Sequence, residues 1–341
     1  MSAIPEEFDR LSRIVANQIK VPSLNIRELN STEKLKLKSI DLYEFASMEF
    51  PPREPILDPI LCKQDLAMLY AERGVGKTHA ALAIALAVSS GGEFAGWRAS
   101  KPRKVCYLDG ELQGSVMQQR LLLHLPDPEP PQGKLSVFNP DILPLGVALP
   151  DLSTIEGQDA IEPILDDAEL VIVDNLSCWA RVGKENEAES WLPLADWGLR
   201  LRRRGTAVLF VHHAGRNGQP RGTSKREDLM DTVIELKRPT NYDARDGAHF
   251  VLNFTKGRHL SGDQAQSLEL RLETLGDKAS WRVQTLEAST RDRVIELHKD
   301  DWSQTEIATE LNIHKSTVSR HLRDAKNQGK IKEKPSACET A

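Results

Sequence analysis

The sequence predicts an α/β fold: a mostly parallel central sheet, antiparallel strands at its C-terminal side, and a small all-α domain at the end of the chain. Three observations carry that expectation. Apolar runs of strand length recur at residues 66–70, 104–108, 170–174 and 207–212, and three of them precede helix-compatible segments. Residues 230–285 then alternate with period two between turn signals at Asp246-Gly247, Ser261-Gly262 and Gly276-Asp277, which reads as antiparallel strands. From residue 289 the pattern changes to short helices.

The chain of 341 residues is 40% hydrophobic and 28% charged, an ordinary globular balance that sets aside fibrous and disordered classes. A net charge of −5 does not favour bulk nucleic-acid binding but permits a local basic patch. Cys62, Cys106, Cys178 and Cys338 form no CxxC pair and fit no zinc or disulfide framework, so a reduced, cytoplasmic setting is expected. The longest Ala/Leu run, residues 80–88, is too short to span a bilayer, and MSAIPEEFDR has no apolar signal region. No membrane partner is expected. The expected organisation is a polar, helix-compatible segment over 1–50, the α/β domain over 51–286, a helical module over 287–331 and a disordered tail over 332–341. Pro51-Pro52-Arg53-Glu54-Pro55 reads as a linker or entry loop.

The first chemical element is AERGVGKT, residues 71–78, between a strand and a helix. Arg73, Gly74, Val75, Gly76, Lys77, Thr78 and His79 are candidate nucleotide contacts. Glycines let the main chain approach phosphates, and the helix start adds its positive dipole end. Lys77 would reach the β/γ oxygens and the Thr78 hydroxyl would bind Mg²⁺, with ATP as the nucleotide. Ala71 stands where the full pattern has a glycine, so a slightly altered turn is expected.

The second element is VCYLDGEL, where Asp109 and Glu111 follow a strand. Glu111 is placed either to take a proton from an attacking water or simply to sit in solvent. LVIVDN, residues 170–175, ends a strand on Asp174, which would hold the magnesium or cap the next turn. The lysine, the threonine and these two acids are expected to converge at the tips of adjacent strands. The strand at 207–212 runs into His212-His213 and then a Gly/Asn/Pro loop with Arg216 and Arg221. A histidine there either senses the γ-phosphate or packs. RLRRR, residues 200–204, reads as a solvated helix face or a DNA-facing stretch.

Taken in order, AERGVGKT, VCYLDGELQGSVMQQRL, LVIVDNLSCW and VLFVHHAGRN…RGTS resemble the RecA-fold hexameric helicases and ATPases over about residues 50–285. The likeness is to P-loop NTPases of the RepA-type plasmid replicative helicases, with DnaB-like helicases as wider relatives. The resemblance implies a RecA-like fold and ATP hydrolysis, with Glu111 as catalytic base and His213 as γ-phosphate sensor. Arg221 looks like the arginine that reaches a neighbouring subunit's nucleotide. FTKGRHL resembles a Lys-x-Arg finger, which would put Lys256 and Arg258 at that interface instead, and both placements stay open. A homo-oligomer, as a hexameric ring, is implied. Single-stranded DNA is the implied track, with duplex DNA and a replication initiator or primase as further partners.

The last element spans residues 291–331. Helices are expected over 291–298, 305–311 and 315–326, with Ser303 and Glu306 at capping-box spacing. Val318, Leu322 and Ala325 share one face, and Ser316, Thr317, Ser319, Arg320 and Arg323 lie nearer the exposed one. The run QTEIATELNIHKSTVSRHL resembles the helix-turn-helix of bacterial regulators. By that resemblance the third helix enters the major groove, Arg320 reads guanine, and Lys315, Ser316 and Thr317 grip phosphates. The alternative is a three-helix domain for protein contacts. Two functions outside the motor class stay open: an ATP-dependent regulator, and an assembly protein that binds ATP to oligomerise.

Overall fold

A computed structural model describes residues 39–50, 52–125, 129–181, 188–215, 225–239, 242–276 and 278–331. The chain divides into two units, Met1–Arg53 and Glu54–Ala341. In the first, Asp41 caps the helix α1 (Leu42–Ser47) by accepting from the N–H groups of Tyr43 and Glu44 at 2.7 and 2.9 Å. This helix buries no side chain, and Leu42, Tyr43 and Phe45 are exposed.

The second unit is built on one sheet. Its strands, in chain order, are β3 (Leu66–Ala71), β6 (Val105–Asp109), β7 (Leu135–Phe138), β8 (Leu170–Asp174), β9 (Ala207–His213), β10 (Thr232–Lys237), β11 (His249–Gly257), β12 (Leu268–Leu275) and β13 (Lys278–Thr285). Two short hairpins, β1 (Pro55–Leu57) with β2 (Leu61–Cys62) and β4 (Glu93–Phe94) with β5 (Trp97–Arg98), stand outside it. Among the described residues the spatial order is β13-β12-β11-β10-β3-β9-β8-β6-β7. From β10 to β7 all neighbours are parallel. Such strands are covered on both faces, which is why β3, β6, β8 and β9 are apolar along their length and buried throughout.

Side-chain alternation splits the core into two layers. Ala67, Leu69 and Ala71 face the helix α2 (Lys77–Ser90), whose alanine and leucine side chains allow close approach to the sheet. Leu66, Met68 and Tyr70 face the other way, toward Trp179, Trp197 and Phe210. One edge of this unit is pinned by Arg103, which is 1% exposed and pairs with Glu54 and Glu169, each at 2.8 Å.

The antiparallel portion differs from the expectation at one strand. β11, β12 and β13 pair antiparallel as predicted, but β10 is parallel to β3 and antiparallel to β11, so the sheet changes direction there. Period-two alternation does not encode direction. The nearly complete burial of Thr232–Lys237 is what marks it as a central strand.

Helices α3 (Gly114–His124), α4 (Ile155–Ile161), α5 (Leu176–Trp179), α6 (Ala188–Arg203) and α7 (Lys225–Asp228) lie between the strands, and the chain leaves β13 straight into α8 (Leu286–Lys299), capped by Thr285, so the first helix of the module begins at Leu286 rather than at Arg291. Next come α9 (Gln304–Glu310) and α10 (Lys315–Asn327). The capping box forms in both directions: Ser303 Oγ accepts from Glu306 N at 3.3 Å and Glu306 accepts from Ser303 N at 2.8 Å. Val294, Ile307, Val318 and Leu322 make a separate small core. No helix of the described residues is long and apolar enough to cross a membrane. The tail, 332–341, lies outside the described residues.

A buried charge pair carries a pH signature. His249 on β11 lies 3.0 Å from Asp246 and 2.8 Å from Glu269, and these carboxylates hold its pKa above the ordinary 6.5. Arg271 also reaches Asp246 at 2.7 Å, and Arg293 adds positive charge near Glu269. A raised histidine pKa stabilises the fold fully below 6.5, and that contribution is lost as pH climbs through the raised value. Glu269, whose pKa is lowered, adds stability only above the ordinary glutamate range. In urea titrations, wild type should exceed His249→Gln by about 1–2 kcal/mol near pH 6. The margin should narrow as pH is raised toward about 9. A margin that grows with pH would refute the assigned charge state.

Candidate functional site

The loop between β3 and α2 needs its glycines. Gly74 and Gly76 have φ of +76° and +123°, and a Cβ on Gly76 would stand 3.0 Å from Ala248 Cβ and 3.1 Å from the Phe250 ring. Ala71, by contrast, is the last residue of β3, paired with His213 and Leu236 in ordinary strand geometry, so alanine fits there without strain. Its carbonyl and that of Glu72 accept from Lys77 Nζ at 3.1 and 2.9 Å. Val75 turns its side chain into the core, which leaves only its main chain for a ligand.

Beside the loop is a cleft of about 370 Å³, and Arg73, Lys77, Thr78, Glu111, Asp174 and His213 all line it. Gly74, Gly76 and His79 line it as well. One detail of the expectation is corrected. β3 and β8 are not adjacent, because β9 lies between them. His213, at the end of β9, therefore sits between the glycine loop and the acids.

Burial sets the electrostatics. Asp174 is 2% exposed, and desolvation pushes its pKa up to about 6 against hydrogen bonds from the Tyr107 hydroxyl, at 2.7 Å, and Thr78. Desolvation likewise pulls Lys77 down to about 8, opposed by Asp174 and Glu111. The pocket thus holds a cation and an anion at the cost of their hydration, a state that an incoming phosphate and cation would relieve. Asp109 shapes the next turn. Its Oδ1 accepts from the N–H groups of Glu111 and Leu112 at 3.0 and 3.2 Å, and its Oδ2 accepts from Asn139 at 2.7 Å. That turn presents Glu111, whose side chain is 48% exposed and open to water.

Three side chains were not anticipated from sequence. Asn175 donates its amide to Glu111 Oε2 and stands 3.2 Å from His213 Nε2, with His213 itself 3.6 Å from Glu111. The signal available was a polar residue directly after the strand-end aspartate. Arg120, on the helix α3 (Gly114–His124), also lines the cleft, and it makes no hydrogen bond or ion pair to another described residue. Only the spacing of the Arg-Leu pair beyond Glu111 pointed that way. Tyr242, from the β10–β11 connection, completes the wall, with the Arg238 guanidinium 4.5 Å from its ring centre.

His79 is tied to His124 by a 2.8 Å Nδ1···Nε2 contact. Burial and the nearby Arg120 push its pKa down to about 3, and that of His124 to about 4, so both rings are neutral near pH 7. The donor set at Thr78 and Asp174, a hydroxyl and a carboxylate oxygen, suits a hard divalent cation such as Mg²⁺.

Other candidates lie elsewhere. Lys256 and Arg258 sit where β11 pairs with the start of β10, the sheet end opposite the glycine loop. Their donors are engaged within the chain: Lys256 Nζ on the Glu227 and Asp228 carbonyls at 2.5 and 3.0 Å, Arg258 on Asp231 at 3.3 Å. Arg221 and the loop around it, 216–224, lie outside the described residues. Within the 200–204 run, Arg200 contacts Gln158, Arg202 contacts Asp231 and Arg204 contacts Glu162, while Arg203 is exposed. On α10, Lys315, Ser316, Ser319, Arg320 and Arg323 are exposed and Thr317 is half-buried. Arg320 is within 3.3 Å of Glu287 on α8.

The chain belongs to the AAA domain family, whose family model matches residues 31–219. A homeodomain-like domain model matches residues 285–331. The protein is thus a P-loop ATPase of the AAA domain class, with a mixed, mostly parallel sheet and a C-terminal helix-turn-helix region. A similar solved structure is the KaiC-like protein PH0186 from the hyperthermophilic archaeon Pyrococcus horikoshii OT3, at 13% identity and TM-score 0.45, covering 67% of this chain and 93% of that one. None of the curated proteins compared with the chain matches it.

Proposed function

We propose that this chain is an ATP-hydrolysing, DNA-dependent oligomeric motor of the RepA-like replicative helicase kind, serving a plasmid, phage or integrated element. Its helix-turn-helix tethers it to an origin. The observation that carries the chemistry is the meeting of Lys77, Thr78, Glu111, Asp174 and His213 on one cleft. The loop N–H groups cradle the phosphates, and Lys77 exchanges two carbonyls for phosphate oxygens. Thr78 and Asp174 hold Mg²⁺, which when bound neutralises charge on the phosphate oxygens. Glu111 accepts the proton of the attacking water, and Asn175 orients that carboxylate while joining it to His213 at the γ-phosphate end.

Arg120 supplies a further cation from the same chain. With no carboxylate to neutralise it among the described residues, it is free to meet an anion. Arg120→Ala should lower turnover by about 10–100-fold, with Arg120→Lys between the two, measured as phosphate release at saturating ATP. Wild-type turnover in Arg120→Ala would remove the arginine from the chemistry. A hexameric ring would bring a second basic group to each cleft from the neighbour, with Arg221, or Lys256 and Arg258, as that finger. Phosphoryl transfer is mostly positioning and charge stabilisation, so a subunit alone would be a poor ATPase.

The test is phosphate release with and without single-stranded DNA, mass determination under the same conditions, and unwinding of a forked duplex. ATP-driven rings, DNA-stimulated turnover and strand separation are expected, all lost in Lys77→Ala. Turnover indifferent to DNA rejects the motor. A second reading, an ATP-dependent DNA-binding regulator, gains support from one contact: Ser289 in α8 is hydrogen-bonded to Glu269 in the sheet. Nucleotide-dependent duplex binding without unwinding selects that reading.

A further inference from the structure

The cleft and the helix-turn-helix are joined through the backbone at residues 247–249 and a chain of hydrogen-bonded buried side chains. The path begins at Gly247 and Ala248, which line the cleft. A Cβ added to Gly76 would meet Ala248 Cβ at 3.0 Å, so the glycine loop lies close against the residue that leads into β11. The next residue, His249, is held by Asp246 at 3.0 Å on Nδ1 and by Glu269 at 2.8 Å on Nε2. The other oxygen of Glu269 accepts from the Ser289 hydroxyl on α8. His249 and Ser289 are each 3% exposed and Glu269 is 9% exposed. Leu286 N–H donates to the carbonyl of Ser267, the residue before β12, at 2.9 Å, which seats the start of the same helix beside that strand. Beyond it, α8, α9 and α10 share the small core of Val294, Ile307, Val318 and Leu322.

We infer that this path couples the occupancy of the cleft to the placement of the helix-turn-helix, so that a Mg-nucleotide changes the affinity of the module for duplex DNA. By linkage, duplex DNA then changes nucleotide affinity by the same factor. The inference rests on the reading of the cleft as an ATP site. Its physical core is Glu269, which divides its two oxygens between the sheet and the module. When the cleft wall moves, His249 moves with Ala248. Glu269 must then follow, or one buried carboxylate oxygen loses its partner. The module responds as a unit because its own core ties α9 and α10 to α8.

Hydrogen exchange followed by mass spectrometry on the full chain, with and without the slowly hydrolysed analogue MgATPγS, tests this. Peptides covering 74–79 report the cleft and peptides covering 286–299 report α8. In wild type both regions should slow, the second by about fivefold, the low end of an ordinary coupling. In Ser289→Ala and in His249→Gln, slowing at 74–79 should persist while that at 286–299 largely disappears. Slowing at 74–79 without any at 286–299 in wild type overturns the coupling and leaves the ATP reading intact. Equal slowing of 286–299 in wild type and both variants overturns the path. No response at 74–79 sinks the ATP reading itself, and the coupling with it.

Discussion

Glu111→Gln is expected to lower ATP turnover by about a thousandfold while nucleotide affinity stays near that of wild type. Glutamine keeps the shape of the side chain, and its carbonyl oxygen can still accept from the Asn175 amide. What it loses is the ability to take a proton. The turn that presents it is fixed from below by Asp109, which binds the N–H groups of both Glu111 and Leu112, so the substitution leaves the loop in place. Nucleotide is held on the other side of the cleft, by the glycine loop and Lys77, and binding should survive. Phosphate release at saturating ATP, paired with binding of a fluorescent ATP analogue, separates the two effects. If turnover stays within about tenfold of wild type, Glu111 is not the base and a different group must receive the proton.

Val318→Asp is expected to unfold the C-terminal module and abolish duplex-DNA binding, leaving DNA-independent ATP turnover nearly unchanged. Val318 is fully buried in a core of only a few side chains, with Val294, Ile307 and Leu322 around it. An unpaired carboxylate there has no donor to meet and costs about 4 kcal/mol or more. A core that small has little reserve against such a loss. The cleft, in contrast, takes its lining from the ends of β3, β6, β8 and β9, the helix α3 and the β10–β11 connection, and from no residue of the module's own helices. Limited proteolysis should show new cuts between residues 286 and 331 and none in the sheet. Fluorescence anisotropy on a labelled random-sequence duplex reports the lost binding. Retained DNA affinity would mean that the duplex is gripped elsewhere.

The glycine loop was legible because its determinants are local. Gly74 and Gly76 carry positive φ, Lys77 and Thr78 open the helix, and nothing beyond those few neighbours is needed to see the pattern. The strand-end acids were legible for a similar reason: an apolar run that closes on a charged residue announces where the strand ends. Asn175, Arg120 and Tyr242 escaped notice because they reach the cleft from a strand tip, a helix and a distant connection, and no short pattern links those places. The direction of β10 escaped because alternation is blind to whether a neighbour runs up or down.

The basic residues show the same divide. Lys256 and Arg258 look alike in sequence to any exposed cationic pair, yet the fold ties them to the carbonyls at 227 and 228 and to Asp231. Arg200, Arg202 and Arg204 are spent on Gln158, Asp231 and Glu162. Whether a cation is free depends on which acid or carbonyl folds beside it.

By itself the amino-acid sequence determined the α/β class, the phosphate loop, the acids and histidine that close three strands, and the helical module with its capping box, since each is written in backbone geometry or periodicity over neighbouring residues. Only the tertiary structure decided that β9 separates β3 from β8, that Asn175 joins Glu111 to His213, and that Glu269 links the sheet to Ser289. Those relations join residues far apart in the chain, and they exist only once both faces of the sheet are packed and the strand order is set.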